Sequence, residues 1–147
     1  MSAGSRRTWD GKPVSPEPPF GASVLVYRRV HGELEWLVLH RRRAATGGDW
    51  AWTPPSGARL PDRPVDECAK RELWEETGLR VPIERTRAGT EEWVTYVAVE
   101  TDHHEITLDE VHDHFEWVTG EEAGARCQPA VVADTIRRGV ALVKRPQ

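Results

Sequence analysis

Cysteine and long apolar runs are both scarce in this chain of 147 residues. Its two cysteines, Cys68 and Cys127, are too few for a disulfide framework and lack the spacing of a zinc knuckle. No apolar run approaches the ~20 residues that a membrane-spanning helix needs, and the first residues lack the apolar core of a secretory signal. We therefore expect a cytoplasmic protein with reduced thiols and no membrane partner.

The chain also has no overall excess of positive charge. Its formal net charge is −4, and the acidic residues are concentrated after residue 50, where nineteen Asp and Glu face twelve Lys and Arg. Because nucleic-acid binding depends on neutralising phosphates with basic side chains, no stable nucleic-acid partner is expected. If such a chain binds a polyanion, we expect metal cations between its carboxylates and the phosphates.

The pattern of the chain predicts a tail followed by one domain. Residues 1–19 are rich in proline and glycine without periodicity, so they are expected to form a disordered tail, and residues 20–147 form the domain. Apolar and β-branched runs predict strands, and periodic segments predict helices. The predicted strands are 22–27, 34–40, 92–100 and 114–118, with a short extended run at 50–53. The predicted helices are 65–77, with Pro64 suited to the first helical position and Gly78 to a left-handed cap, a short one opened by a capping box of Thr119 and Glu122, and 129–144. This order predicts an α+β fold with a mixed sheet flanked by helices.

The helix at 65–77 has an unusual buried face. It begins with Val65, Cys68 and Ala69 at helical spacing, and the same stripe continues to Glu72, Glu75 and Glu76. Like charges at these spacings destabilise a helix by a few tenths of a kcal/mol per pair, and partial burial costs more. A divalent cation would offset that cost, and oxygen ligands suit Mg²⁺ or Mn²⁺. Taken alone, the three glutamates are equally typical of a solvated helix surface.

The surrounding residues resemble the Nudix box, whose pattern is G-x5-E-x7-R-E-U-x-E-E-x-G-U with U aliphatic. The chain matches this pattern between residues 57 and 79 at every specified position except the first glutamate, which is Arg63. Upstream, Trp52, Pro55 and Gly57 are similar to the W-x-x-P-x-G segment common in the family. The resemblance extends over about residues 20–145.

The resemblance implies an α/β/α sandwich with a loop-helix-loop box. It also implies a Nudix-type pyrophosphohydrolase that uses Mg²⁺ or Mn²⁺ to cleave a phosphoanhydride bond in a nucleoside diphosphate-linked substrate. Carried over position by position, Glu72, Glu75 and Glu76 are the metal-ligand set and Arg71 orients them. Several family members take an extra ligand or the general base from the region that corresponds to residues 101–113. Glu105, Asp109, Glu110 and Asp113 are the acids there, and Glu110 is the preferred candidate for the base.

Arg63 departs from the family pattern, where a glutamate commonly pairs with the box arginine. Asp62, Asp66 or Glu67 could replace that glutamate as a helper carboxylate, because the ligand triplet itself is complete. Arg63 could instead contact a phosphate or lie in solvent. The rival interpretation is a Nudix domain that binds a nucleotide as a sensor without cleaving it.

Weaker signals concern the substrate. Tyr96 lies where dinucleoside polyphosphate hydrolases often carry a tyrosine, which favours a (di)nucleoside polyphosphate or nucleoside triphosphate. Tyr96 would then contact the base or phosphates, although it could equally pack in the core. Arg41 and Arg43 follow a predicted strand and are candidate phosphate contacts. Trp52 could stack on a base or pack against the fold. The seven tryptophans leave apolar area for a possible homodimer.

Overall fold

A computed structural model of the protein describes residue 7 and residues 11–44 and 47–144. The strands, in chain order, are β1 (Gly21–Val30), β2 (Glu33–Arg41), β3 (Trp52–Thr53), β4 (Ser56–Ala58), β5 (Glu84–Arg85), β6 (Trp93–Val99) and β7 (His112–Val118). The helices are α1 (Val65–Thr77), α2 (Gly120–Arg126) and α3 (Ala130–Lys144).

All seven strands belong to one mixed sheet. Its central order is β3-β2-β1-β6-β5, with β4 paired to β1 and β7 paired to β2. The pair β1–β6 is parallel, with Val24 opposite Tyr96, and the other pairs are antiparallel. Strand β6 lies between β1 and β5, and its two faces are apolar because Val94, Tyr96 and Ala98 pack on the α1 side of the sheet and Val97 on the other side.

Two apolar clusters cover the two faces of the sheet. One cluster joins α1, through Cys68, Ala69 and Leu73, to residues of β1, β2 and β6. The other joins Ala123 of α2 and Ile136 of α3 to the opposite face. This three-layer arrangement confirms the predicted α/β/α sandwich.

The predicted elements are observed with small shifts at their ends. Helix α1 has the predicted bounds and ends at Gly78, which adopts the left-handed conformation with φ of 78°. Pro64 is the N-cap instead of the first helical residue. Thr119 caps α2 by accepting a hydrogen bond from the Glu122 N–H, as the capping box predicts. Strands β4 and β5 were missed because two or three residues carry no periodicity.

The segment before β1 packs against the domain instead of forming the free arm that its composition predicts. Ser15 is buried, and its N–H donates to the Arg59 carbonyl at 2.7 Å. The Arg59 side chain in turn donates to Ser15 Oγ at 2.9 Å and to the Pro19 carbonyl at 2.7 Å. These contacts hold residues 15–19 next to the loop before α1. The tail predicted for residues 1–6 and 8–10 lies outside the described residues.

Candidate active site

Helix α1 buries one carboxylate within its apolar face. Its buried residues are Cys68, Ala69, Leu73, Glu76 and Thr77. Glu76 is only 6% exposed, whereas the side chain of Glu72, one turn earlier, is 15% exposed and that of Glu75 is 42% exposed. The face predicted from the helical spacing therefore turns inward at Glu76 and outward at Glu75.

Glu72 and Glu76 lie one helical turn apart on α1. The Ser56 N–H donates to Glu76 Oε1 at 3.1 Å, and Glu72 is the acid with the largest effect on Glu76. Burial raises the pKa of Glu76 well above its usual value of 4.5, and the neighbouring Glu72 raises it further. A bound cation would favour the charged form of Glu76 and so offset the effect of burial.

Gly57 leaves the space that the Glu72 carboxylate occupies. A Cβ atom at Gly57 would lie 2.1 Å from Glu72 Cδ and 2.4 Å from each carboxylate oxygen. The absence of a side chain on β4 therefore lets the carboxylate lie against the strand backbone. This contact gives a physical reason for the glycine that opens the box pattern.

Arg71 also contacts the Glu72 carboxylate. Its Nη2 atom donates to Glu72 Oε1 at 3.0 Å and to the Ala58 carbonyl at 3.3 Å. Its Nε atom lies 4.0 Å from Glu75 Oε1. The orienting role predicted for Arg71 has a structural basis in these contacts, which reach two of the three glutamates.

No helper carboxylate from the loop before α1 or its first turn contacts Arg71 among its described contacts, which go to Glu72, Glu75 and Ala58. Arg63 is largely exposed and lies 3.7 Å from Glu67, so it engages one candidate helper. A second candidate, Asp66, accepts the hydroxyl hydrogen bond of Tyr96. The geometry matches a solvent-exposed loop arginine at position 63.

An open groove of about 630 Å³ runs between the last turn of α1 and the loop before β7. Trp74, Glu75 and Gly78 line it on the helix side, and residues 107–111 line it on the loop side, together with Lys12. The loop is attached to the helix because the Thr107 N–H donates to the Thr77 carbonyl at 2.8 Å. The groove gives a ligand access to the edge of the carboxylate cluster.

Two loop carboxylates, Asp109 and Glu110, line this groove. Asp109 Oδ1 lies 2.7 Å from Nδ1 of the buried His112, and its charge contributes to the raised pKa of Glu76. Glu110, the residue predicted as general base, has an exposed side chain. Sequence reasoning included Asp109 among four candidate acids but preferred Glu110, because residues 101–113 carry no pattern that separates them.

The residues at the cluster suit a divalent cation in their chemistry. Glu72 and Glu76 present carboxylate oxygens only, and the buried Glu76 needs a counter-charge when it is ionised. Across residues 11–44 and 47–144, however, no three His, Cys, Asp or Glu side chains stand close enough together to form a ready-made metal site. The pair is in place, and Glu75 would have to move from Arg71 to complete the predicted set.

The predicted substrate residues lie apart from one another. Tyr96 is 2% exposed, and its hydroxyl donates to Asp66, so its ring packs in the core and is not available to stack on a base. Trp52 belongs to the cluster on the α2–α3 side, with its ring between His40 and Arg126 at centroid distances of 5.0 and 4.8 Å. For both residues the packing alternative describes the structure.

Arg41 and Arg43 are exposed at the end of β2. The residue between them, Arg42, donates to carbonyls of the loop that lines the groove. The two exposed arginines therefore lie near one end of this loop, and their predicted phosphate contacts stay a prediction.

The comparisons with known proteins agree with this architecture. The family model described as NUDIX domain matches residues 18–140. A putative Nudix hydrolase from Listeria monocytogenes superposes with a TM-score of 0.72 at 20% identity, covering 86% of this chain and 94% of that one. An Ap4A hydrolase from C. elegans gives 0.68 at 20% identity, covering 84% and 96%. A MutT protein from Methanosarcina mazei Go1 gives 0.63 at 25% identity, covering 85% and 94%.

Among curated protein sequences, none matches the chain significantly. The match of the family model over most of the chain nevertheless shows that this protein belongs to the Nudix family. It confirms the predicted family and, with the similar structures, the predicted class of enzyme, a Nudix-type pyrophosphohydrolase. Within the described residues, no helix is long and apolar enough to cross a membrane.

Proposed function

We propose that the protein hydrolyses a phosphoanhydride bond in a (di)nucleoside polyphosphate or nucleoside triphosphate, using Mg²⁺ or Mn²⁺. The observation that carries the proposal is the carboxylate pair Glu72 and buried Glu76, which lies against β4 on the helix that lines an open groove. The structural similarity to an Ap4A hydrolase and a MutT protein supports the nucleotide class of substrate.

The chain's own residues position the chemistry. Glu72 and Glu76, joined by Glu75, would hold the cation. Bound there, a divalent cation neutralises phosphate charge and makes water a better nucleophile. Arg71 and the Ser56 N–H fix the two carboxylates at 3.0 and 3.1 Å, so they are preorganised before substrate arrives.

Of the two loop carboxylates that line the groove, we prefer Asp109 to the predicted Glu110. Asp109 is oriented by the buried His112 at 2.7 Å and is less exposed than Glu110. It is therefore the better candidate to accept a proton from the attacking water. Cytoplasmic location and a homodimer stay predictions.

A substrate panel tests the proposal. Nucleoside triphosphates, oxidised nucleotides, dinucleoside polyphosphates, ADP-ribose and nucleotide sugars are incubated with Mg²⁺ or Mn²⁺, and the products are identified. We expect hydrolysis of a nucleoside triphosphate or dinucleoside polyphosphate that disappears with a chelator. Glu76→Gln should lower kcat by at least ~10²-fold, the scale of losing a major electrostatic group.

Two other results would change the conclusion. Tight nucleotide binding without turnover by the folded protein would favour the sensor, and Arg63, in place of the box glutamate, would be the first residue to test. Preferred cleavage of ADP-ribose or a nucleotide sugar would keep the reaction class and refute the substrate assignment.

A further inference from the structure

Arg42 donates hydrogen bonds to three successive residues of the loop that carries the groove carboxylates. Its backbone N–H donates to the Val111 carbonyl at 2.8 Å. Its side-chain Nε donates to the Glu110 carbonyl at 3.0 Å, and Nη2 donates to the His112 carbonyl at 3.4 Å. The planar guanidinium matches this arrangement because its donors point in fixed, divergent directions.

The opposite end of the loop is attached to α1. The Thr107 N–H donates to the Thr77 carbonyl at 2.8 Å, one residue beyond Glu76. Asp109 lies between the two attachments and is oriented within the loop by His112, at 2.7 Å. If the hydrogen bonds to Arg42 were lost, this end of the loop would be free to move, and the distance between Asp109 and the carboxylates of α1 would change.

We propose that Arg42 is a positioning residue, which holds Asp109 at the groove along the last turn of α1, opposite Glu75, and thereby sets the rate of hydrolysis. This inference rests on the proposed function. It differs from a phosphate-binding role, because two of the guanidinium nitrogens are already engaged with loop carbonyls. The contacts with the loop indicate that Arg42 affects kcat, whereas Arg41 and Arg43 remain the candidates for phosphate binding.

The first test compares Arg42→Met and Arg42→Lys with wild type in the full chain. Arg42→Met should lower kcat about tenfold or more with little change in KM, since even a misplacement of about 1 Å can cost ~10²-fold. Arg42→Lys should stay closer to Arg42→Met than to wild type, because an ammonium lacks the fork that reaches both carbonyls. Arg29→Met, at an exposed arginine of β1, is the matched control and should leave kcat and KM unchanged.

Hydrogen exchange supplies a readout that does not depend on catalysis. Amides of residues 109–112 should exchange faster in Arg42→Met, while those of α1 stay as in wild type. A double mutant separates a direct from an indirect role: if Arg42 acts through Asp109, adding Arg42→Met to Asp109→Asn should lower kcat little further.

Three results overturn the positioning role. They are unchanged exchange at residues 109–112 in Arg42→Met, a rise in KM alone that Arg42→Lys restores, and fully multiplicative losses of kcat in the double mutant. These results leave the proposed function intact when wild type remains active. A folded wild-type protein that hydrolyses nothing on the panel overturns the proposed function and this inference together.

Discussion

Replacing Gly57 with alanine tests how closely the site is built around one carboxylate. The added Cβ would lie 2.1 Å from Glu72 Cδ, where ordinary contacts begin at 3.4 Å. The carboxylate must therefore move by at least about 1.3 Å, the difference between those two distances. A displacement of about 1 Å in a positioned group can cost ~10²-fold in rate, so we expect kcat to fall by about that factor.

The fold should tolerate the same change. Gly57 is not among the glycines with positive φ, and the clashing atoms are the end of a flexible side chain. Alanine also restricts the unfolded chain, which stabilises by about 0.4–1 kcal/mol where the backbone is compatible. The melting temperature should therefore change little, while Mn²⁺ affinity and kcat both fall.

Gly47→Ala is the matched control because a Cβ there meets no atom of the described residues within 4 Å. It should keep wild-type kcat and Mn²⁺ affinity. Steady-state kinetics, Mn²⁺ titration and thermal unfolding of the three proteins decide the matter. A folded Gly57→Ala protein with normal kcat would refute the reasoning, because Glu72 would then not need its position against β4.

Three further predictions concern stability and ions. Because the pKa of Glu76 is raised above 4.5, the folded metal-free protein retains a proton that the unfolded chain releases. The free energy of unfolding of wild type should therefore fall relative to that of Glu76→Gln as pH rises from 4.5. Parallel pH profiles of the two proteins, measured in chelator, would contradict this. Tyr96→Phe should lower the free energy of unfolding, measured in urea, by about 1 kcal/mol, because the hydrogen bond to Asp66 is lost. KM should stay unchanged. A selective rise in KM for adenine dinucleotides would support the predicted substrate role of Tyr96 instead. Mn²⁺ at 100 times its Kd should stabilise wild type by about 2.7 kcal/mol, and an equal shift in a Glu72→Gln, Glu76→Gln double mutant would place the ion elsewhere.

The box helix shows what sequence reasoning reaches. Pro64 and Gly78 are local signals, so the bounds of α1 follow from them without knowledge of the fold. The spacing from Cys68 to Glu76 likewise depends only on helical periodicity, and it correctly puts a carboxylate on the buried face. What the spacing does not contain is the neighbour: β4, which receives that face, is a three-residue strand defined by its partner β1.

The substrate residues show where such reasoning ends. Tyr96 and Trp52 are apolar rings with a polar atom, and the same residue type serves equally to bind a base or to fill a core. Whether each ring packs in the core or contacts a substrate depends on which side of the sheet it faces and on what covers that side. The preference for Asp109 among the loop acids and the role of Arg42 could not be predicted, because they depend on contacts that only the fold creates, such as that from Arg42, just after β2, to Glu110, 68 residues away.

Calorimetric titration of the metal-free protein with Mn²⁺, repeated in buffers of different ionisation enthalpy, tests the central claim most directly. The account predicts that Mn²⁺ displaces the proton that burial favours on Glu76, so that binding near neutral pH releases protons and is strongly weakened in Glu76→Gln. Mn²⁺ binding of equal affinity in wild type and Glu76→Gln, without proton release, would contradict it.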